Sequence, residues 1–399
     1  MPKLSPPSCQ TQARAQAQET KPVTHCPYCE GSAIIKKGVR VKKYEIAQLY
    51  YCRHCRKKFT PLANKHHTYP LKVIIEALNA YNRFNTQEAA AKAIARKYSL
   101  PVSAQNVANW LNDFKDVLFF SKMRAAIAAT TNKRDIFIES RMFHRQIYFF
   151  KFHRAKLQHI LKRHKSLERF RPLDAFLERV PDECPHRLFR ENDKRSSSHK
   201  NTFILDEVKI VWRDNAAIRM ARFALQATPN NKLRHETLQE FMLLNDAATV
   251  AVEIPITLSG CDLQCFQGKP GFQVPLDLKP EEIITGHIDF VQLRNDRVFI
   301  LDYKPGAKKD KPIAQLTIYA LALARLTGLR LYDFACAWFD DKDYYEFYPL
   351  QVVHKRAPDR ASTVPAVPGK QKERNENLRR FKRGPFRRTR QDGRGGRKL

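Results

Sequence analysis

The sequence lacks any apolar run of the roughly 20 residues that a membrane-spanning helix requires. The best candidate, Ile313 to Ala324, is short and contains Gln315. The first twenty residues, MPKLSPPSCQTQARAQAQET, have no apolar centre of the kind found in signal peptides. These features argue against a membrane-bound or secreted protein. We therefore expect a cytoplasmic or nucleoid-associated protein that does not bind membranes.

Acidic residues are scarce. The 399-residue chain has 40 Asp and Glu against 72 Lys and Arg, which gives a formal net charge of +32. A surface of this sign attracts phosphate polymers, with an affinity that falls as salt is added. The charge therefore predicts a nucleic-acid partner without specifying which kind. A protein that is merely basic, or one that works beside the ribosome, is the alternative.

The two ends of the chain have compositions that do not support a packed core. Residues 1–22 are rich in Gln, Ala, Pro and Ser, and we expect them to be disordered. Residues 355–399 hold 16 Lys and Arg against 4 Asp and Glu, so this segment alone carries +12. We expect a disordered basic tail that attracts phosphate groups.

Four of the nine cysteines form two close pairs, Cys26-Pro-Tyr-Cys29 and Cys52-Arg-His-Cys55. Two thiolates two residues apart can hold one ion, and two such pairs complete a tetrahedral site. The segments between them, 33–37 and 43–51, are strand-like. The pattern predicts a zinc ribbon whose zinc is structural, because four thiolates leave no position open for a substrate. Chance pairs or a redox motif are the alternatives.

The next segment has helical periodicity. It predicts helices over 71–84, 87–98 and 104–116, with Thr86 and Ser103 as N-caps of the second and third. Their shared core is expected to contain Ala90, Ile94, Val107, Trp110 and Leu111. The third helix is expected to expose Gln105, Asn106 and Asn109, whose amides suit the adenine edge in a major groove. The pattern favours a DNA-binding helix-turn-helix over an ordinary three-helix bundle.

Residues 24–116 resemble the N-terminal DNA-binding part of insertion-sequence transposases, through CPYC, YYCRHCRKKFTP and the helix-turn-helix that follows. The resemblance covers about a quarter of the chain and implies DNA binding. In such transposases a DDE catalytic core with an RNase H-like fold comes next. Residues 117–200 offer Asp135 and Glu139 but no series of carboxylates on strands. The resemblance therefore does not imply transposition.

Residues 203–350 have the composition of a mixed α/β core, with strand-like runs at 250–258, 287–293 and 298–303 and helical runs at 233–244 and 314–326. Asp289 lies in one strand run, and Asp302 ends the next. Residues two apart on a strand share a face, so Asp302 and Lys304 are expected to point into one site beside Asp289. Such carboxylates suit Mg²⁺ or Mn²⁺, and Lys304 can act on water or phosphate.

These motifs resemble the RecB-like branch of the PD-(D/E)XK nuclease superfamily. The matching elements, in order, are His235 in a helix, Gly286-His-Ile-Asp289, Asp302-Tyr-Lys304 and Gln315-Leu-Thr-Ile-Tyr319. The resemblance covers about residues 233–350. It implies a central mixed sheet flanked by helices. It also implies that a catalytic metal is bound by His235, Asp289, Asp302 and the Tyr303 carbonyl, and that Lys304, Gln315 and Tyr319 serve catalysis.

Several weaker features remain open. Glu236 and Glu253 are either further metal ligands or ordinary acids at a helix start and a sheet rim. Asp289, Asp302 and Lys304 could instead form a surface ion-pair lattice, although their apolar flanks disfavour it. Some relatives bind an iron–sulfur cluster through four cysteines. The order of Cys184, Cys261, Cys265 and Cys336 differs from that pattern, and we interpret these four as buried thiols.

The expected organisation is multidomain. In order it comprises a disordered segment (1–22), a zinc ribbon (23–62), a three-helix helix-turn-helix (70–120), a basic connecting region (121–202), a restriction-endonuclease-like α/β domain (203–350) and a basic disordered tail (351–399). We expect a metal-dependent DNA nuclease related to mobile elements or genome defence. A non-enzymatic DNA-binding regulator or architectural protein with an inactive nuclease fold, or a transposase with an unrecognised core, is the alternative. Homodimer formation is left open.

Overall fold

A computed structural model of the protein describes residues 23, 25–60, 67–163, 165–192, 194–199, 203, 208–228 and 233–354. The expected disordered segment 1–22 lies outside the described residues, as does the tail from residue 355 onward. Among the described helices, none is long and apolar enough to cross a membrane.

The two cysteine pairs flank a small antiparallel sheet of three strands, β1 (Ile34–Val41), β2 (Ile46–Cys52) and β3 (Lys58–Phe59). The strand-like segments expected between the pairs are therefore present. Tyr50 and Phe59 stack with ring centroids 5.7 Å apart, and both are buried with Cys26 and Cys52. This core is very small, as expected for a block that an ion would hold together.

Three helices follow: α1 (Leu71–Asn82), α2 (Gln87–Tyr98) and α3 (Ala104–Asp113). The predicted caps are present, since Thr86 accepts from Ala89 N–H and Ser103 from Asn106 N–H. The predicted core is also present, with Leu111 only partly buried. Helix α1 ends before Phe84, whose φ of 65° is left-handed, and α3 ends before a 3₁₀ turn at Lys115–Val117.

An eight-stranded mixed sheet forms the centre of the molecule, in the order β4-β5-β7-β8-β9-β10-β11-β6. Only the β9–β10 pairing is parallel among these strands. The strands are β4 (Ile138–His144), β5 (Gln146–Phe152), β6 (Val211–Trp212), β7 (Thr249–Ser259), β8 (Ile283–Arg294), β9 (Arg297–Tyr303), β10 (Phe334–Phe339) and β11 (Tyr344–Phe347). The expected mixed sheet is confirmed.

Strands β4 and β5 lie in the segment that we expected to be a basic connecting region. Strand β5 pairs with β7 through Lys151 and Phe152, so the sheet begins well before residue 203. Met142, Phe150 and Phe152 are buried, whereas the positions that alternate with them, Arg141, Phe143, Phe149 and Lys151, are exposed or half-buried. Because this segment is rich in Lys and Arg, its composition indicates a connecting region and does not indicate the two strands.

Helices cover both faces of the sheet. They are α4 (Ser121–Thr130), α5 (Arg154–Arg163), α6 (Arg171–Glu183), α7 (His186–Glu191), α8 (Ala216–Gln226), α9 (Arg234–Asn245), α10 (Gly260–Gln267), α11 (Ile313–Thr327) and α12 (Pro349–Val353). Val298 and Ile300 face a core shared with α5, α6 and α11. Phe299 and Leu301 face the other core, which contains α8, α9 and the three helices α1–α3. The helical block is thus packed onto the sheet domain.

Buried amides tie α1 to α9. Asn82 Nδ2 donates to Asn245 Oδ1 at 2.7 Å, and Asn245 Nδ2 donates to Asn79 Oδ1 at 2.7 Å. Beside them, Arg83 forms an ion pair with Glu240 of α9 at 2.7 Å. Because buried polar groups are costly to leave unpaired, these contacts fix the position of α1 on α9.

The C-terminal end of α9 is held by a buried lysine of α5. Lys156 Nζ donates to the carbonyl oxygens of Leu243 (2.5 Å), Asp246 (2.7 Å) and Thr249 (2.9 Å), and it lies 4.7 Å from the Phe120 ring centroid. Burial lowers the pKa of Lys156 to about 7. The three carbonyl acceptors favour the protonated form, because only an ammonium group donates three hydrogen bonds.

Replacing Lys156 with Met should destabilise the protein by about 3 kcal/mol, because three buried carbonyl groups lose their donor. The free energy of unfolding is measured by urea titration. Lys162→Met, at an exposed position on the same helix, is the matched control and should change stability by less than about 0.5 kcal/mol. Equal stability of the two variants would contradict the role of Lys156.

Candidate active site

Two neighbouring strands bring carboxylates together in the interior. Pairing of Phe290 with Leu301 places Asp289 of β8 next to Asp302 of β9. Asp289 Oδ2 accepts from the Tyr303 backbone N–H at 3.1 Å. Lys304 Nζ lies 3.0 Å from Asp302 Oδ2. The structure therefore brings Asp289, Asp302 and Lys304 into one site.

His235 joins this site from the first turn of α9. Its Nδ1 atom lies 3.5 Å from Asp289 Oδ2, and its ring contacts Tyr303 at a centroid distance of 5.1 Å. Burial would lower the pKa of His235, but the carboxylates of Asp289, Asp302 and Glu253 raise it overall. The predicted helix is present and brings the imidazole next to Asp289, while metal binding by His235 stays a prediction.

Glu253 also lies in this site, whereas Glu236 lines a separate cavity together with Arg83 and Lys97. The Glu253 carboxylate accepts from Gln239 Nε2 at 2.7 Å. Its φ of 53° is left-handed in the middle of β7, a conformation that costs about 1–3 kcal/mol for a residue other than glycine. Backbone strain of this kind concentrates at functional sites, which favours Glu253 over Glu236 as a further ligand.

The carboxyl groups repel one another. Burial and the charge of Asp289 raise the pKa of Asp302 to about 8, and the same two causes raise the pKa of Glu253 to about 8. Burial also raises the pKa of Asp289, but the hydrogen bond and charge of His235 outweigh it and lower that pKa. Without a further cation, the carboxyl groups of Asp289, Asp302 and Glu253 are therefore not all ionised at neutral pH.

The donor set fits a hard divalent cation. Asp302 is 3% exposed, and its Oδ2 atom faces the Lys304 ammonium group at 3.0 Å. One lysine does not balance two buried carboxylates, and such uncompensated buried charge is costly unless a further cation is bound. Oxygen ligands from two or three carboxylates are those that Mg²⁺ and Mn²⁺ prefer.

Gln315 and Tyr319 stand one turn apart on α11, and Gln315 Nε2 donates to Tyr319 Oη at 2.8 Å. The buried Tyr319 hydroxyl also hydrogen-bonds to Ser196. Gly286 allows this close approach: a Cβ atom there would lie 2.6 Å from both Ser196 Oγ and Tyr319 Cε1. A residue larger than glycine at this position of the Gly286-His-Ile-Asp289 motif would therefore collide with both side chains.

The cavity in front of Asp289, of about 270 Å³, contains residues that the sequence did not indicate. Arg195, Ser196 and Tyr148 line it, and all three belong to the segment expected to be a basic connecting region. The Lys194 carbonyl oxygen accepts from Thr285 N–H at 3.0 Å, which attaches this loop to β8. The sequence signal for this loop is Arg195 followed directly by three serines. Its polar composition is equally typical of a connecting segment, so composition does not indicate a role in the cavity.

The four cysteine sulfurs of the ribbon lie within 4.8 Å of one another, with Cys26–Cys55 at 3.5 Å and Cys29–Cys52 at 3.6 Å. This geometry is compatible with a zinc ion. The prediction that the remaining cysteines are buried thiols is confirmed for Cys336, which is buried. It is wrong for Cys261 and Cys265, which are exposed. Both lie on the short helix α10, at the surface.

The residues proposed to contact DNA lie on α3. Gln105 and Asn109 are exposed and hydrogen-bonded to each other at 2.9 Å. Asn106 instead completes the capping box with Ser103, so its carboxamide oxygen is engaged. Base contact by these residues stays a prediction.

The carboxylates considered for a DDE core make other contacts. Glu139 forms an ion pair with Arg83 at 3.0 Å, and Asp135 lies 3.9 Å from Arg154.

Comparison with known proteins agrees with this geometry. No curated protein and no solved structure gives a significant match. A family model described as the PD-(D/E)XK nuclease superfamily matches residues 151–392, more than half of the chain. The match includes the strands and helices that carry His235, Asp289, Asp302, Lys304 and Tyr319, and its members are generally nucleases acting on DNA. The chain therefore belongs to the PD-(D/E)XK nuclease superfamily.

Proposed function

We propose that this protein is a Mg²⁺- or Mn²⁺-dependent nuclease that hydrolyses phosphodiester bonds in DNA. The observation that carries the proposal is the buried convergence of Asp289 and Asp302 with Lys304 3.0 Å from Asp302. Charged groups enclosed by apolar strands are costly for a purely structural role, and such costs concentrate at functional sites.

Asp289, Asp302 and the Tyr303 carbonyl are the proposed metal ligands, with His235 and Glu253 as additional donors. A divalent ion bound there supplies Lewis-acid chemistry to the phosphate and the attacking water. The carboxylates hold that ion, and the Tyr303 N–H and His235 orient Asp289. Orientation of this kind matters because ligands held in place lose less entropy on binding.

Lys304 is the proposed catalytic cation. Burial lowers its pKa, but the neighbouring Asp302 carboxylate outweighs this and raises it, so the side chain stays protonated at neutral pH. A protonated amine at this position orients the attacking water and stabilises charge that develops on the phosphate. Gln315 and Tyr319 would position the substrate or Lys304, and Arg195 at the cavity wall would bind a phosphate oxygen.

DNA targeting is assigned to the N-terminal elements. We infer that the ribbon binds a structural zinc ion and that α3 presents Gln105 and Asn109 to a major groove. Support comes from the basic charge of the chain and from the exposed position of both amides. The amide contacts between α1 and α9 would hold this DNA-binding block in a fixed position relative to Asp289 and Asp302.

Asp289→Asn and Lys304→Ala should each lower DNA cleavage by at least about 100-fold, but for different reasons. The Asp289 variant loses a metal ligand and should bind Mn²⁺ much more weakly in a calorimetric titration. The Lys304 variant should keep its metal affinity or gain slightly, because a positive charge beside two carboxylates is removed. DNA binding should persist in both.

The matched controls are Asp296→Asn in the exposed β8–β9 turn and Lys308→Ala in the exposed loop after β9. Both should cleave DNA at the wild-type rate with Mg²⁺ and not at all with EDTA. If Lys304→Ala cuts DNA as fast as the wild type, the nuclease proposal is wrong. A DNA-binding regulator with an inactive nuclease fold would then take its place.

Deleting residues 355–399 removes a net charge of +12. Binding should weaken about equally for all DNA sequences, with a shallower dependence on salt, because fewer phosphates are neutralised. Fluorescence anisotropy at several salt concentrations measures this. A tail of equal length with Lys and Arg replaced by Gln should behave like the deletion. A loss confined to one sequence, with an unchanged salt slope, would show that the tail reads bases instead.

Cys26→Ser combined with Cys52→Ser should remove about one zinc ion per chain and weaken sequence-specific binding. Cleavage of generic DNA should survive, because the carboxylate site lies in a different sheet. The matched control is Cys261→Ser with Cys265→Ser, which alters two exposed thiols and should leave the zinc content unchanged. Equal zinc content in the two double variants would disprove the ribbon site.

A further inference from the structure

A second group of metal-binding side chains lies at one edge of the large sheet, apart from the carboxylates and the ribbon. His144 ends β4, Cys184 directly follows α6, and His186 begins α7. One nitrogen or sulfur atom from each lies within 4.8 Å of the other two. His144 Nε2 is 2.8 Å from His186 Nδ1 and 3.9 Å from Cys184 Sγ.

The opposite nitrogen of His144 is also engaged. His144 Nδ1 lies 2.8 Å from His287 Nε2, and the His144 ring stacks on Phe189 at a centroid distance of 4.2 Å. His287 is itself stacked on Tyr148 at 3.7 Å. Metal-bound histidines typically have this arrangement, with one nitrogen on the ion and the other hydrogen-bonded to a neighbour that fixes the tautomer.

We propose that His144 Nε2, Cys184 Sγ and His186 Nδ1 bind a Zn²⁺ ion, with a fourth position left to water. Two imidazoles and a thiolate are ligands for a borderline-soft ion and not for Mg²⁺ or Mn²⁺. This site therefore differs in chemistry from the carboxylate site. It also differs from the ribbon, which uses four thiolates from another sheet.

The ion would add a metal link between parts of the chain that side-chain hydrogen bonds already connect. It would connect the end of β4 to the corner between α6 and α7, where Cys184 and His186 stand two residues apart. Through His144 it would fix His287, which lies two residues from Asp289 and on the same side of β8. Both side chains line the same cavity. The zinc ion is thus placed to stabilise one wall of the candidate active site without touching the reacting atoms.

Zinc content of the purified full-length chain tests the proposal. Cys184→Ser and His186→Gln should each lower it by about one ion per chain, as measured by mass spectrometry of the metal. The matched controls are Cys265→Ser and His159→Gln, which alter a cysteine and a histidine outside the cluster and should leave zinc content unchanged. Unchanged zinc in both Cys184→Ser and His186→Gln would overturn the proposal.

A second measurement needs no substitution within the cluster. All four ribbon cysteines are changed to Ser, the protein is stripped with a chelator, and Co²⁺ is added. We expect a near-ultraviolet thiolate-to-cobalt band that saturates at about one equivalent, and Zn²⁺ should displace it. If no such band develops, His186, His144 and His287 form only a hydrogen-bonded chain of neutral imidazoles, and the proposal is wrong. This result would leave the carboxylate site and its nuclease role unaffected.

Discussion

The pairing of β8 with β9 buries two carboxylates beside each other, and the surrounding structure compensates for that cost. Isolated buried charges of the same sign are strongly unfavourable. Lys304, His235 and the Tyr303 N–H each supply a positive charge or a donor to this pair. Asp302 Oδ2 already faces the Lys304 ammonium group, so a divalent cation would compensate the remaining negative charge of the two carboxylates.

Helix α9 connects this site to the N-terminal helices. His235 begins it and faces Asp289, Glu240 in its middle pairs with Arg83, and Asn245 at its end bonds to α1. Lys156 then holds the carbonyl groups at its C-terminal end. A single helix therefore contacts both the candidate catalytic centre and the proposed DNA-reading block. Because all these contacts are side-chain hydrogen bonds or ion pairs with defined geometry, α9 cannot shift without breaking several of them.

Much of the candidate site could be predicted from local sequence. Asp302 and Lys304 are two residues apart at the end of a strand, and Gln315 and Tyr319 are four apart on a helix, so the strand and helix periods place each pair on one face. The N-caps Thr86 and Ser103 could also be predicted from local sequence, because each accepts a hydrogen bond from a backbone N–H three residues later. Glu253 was ranked no higher than Glu236, since both are single acids near element ends. What distinguishes Glu253 from Glu236 is its left-handed backbone and the hydrogen bond from Gln239. Neither feature can be predicted from the sequence.

Local sequence was enough to predict which residues share a strand or helix face and which thiols can bind one ion, because these follow from the fixed geometry of strands, helices and tight turns. The pairing of β5 with β7, the position of Arg195 in the cavity wall and the contacts of His144 with His186 and His287 depend on the packed fold. Such contacts join residues about 40 to 140 positions apart. They arise from the packing of whole elements, and an isolated histidine or arginine in the sequence carries no information about the partner that packing will bring to it.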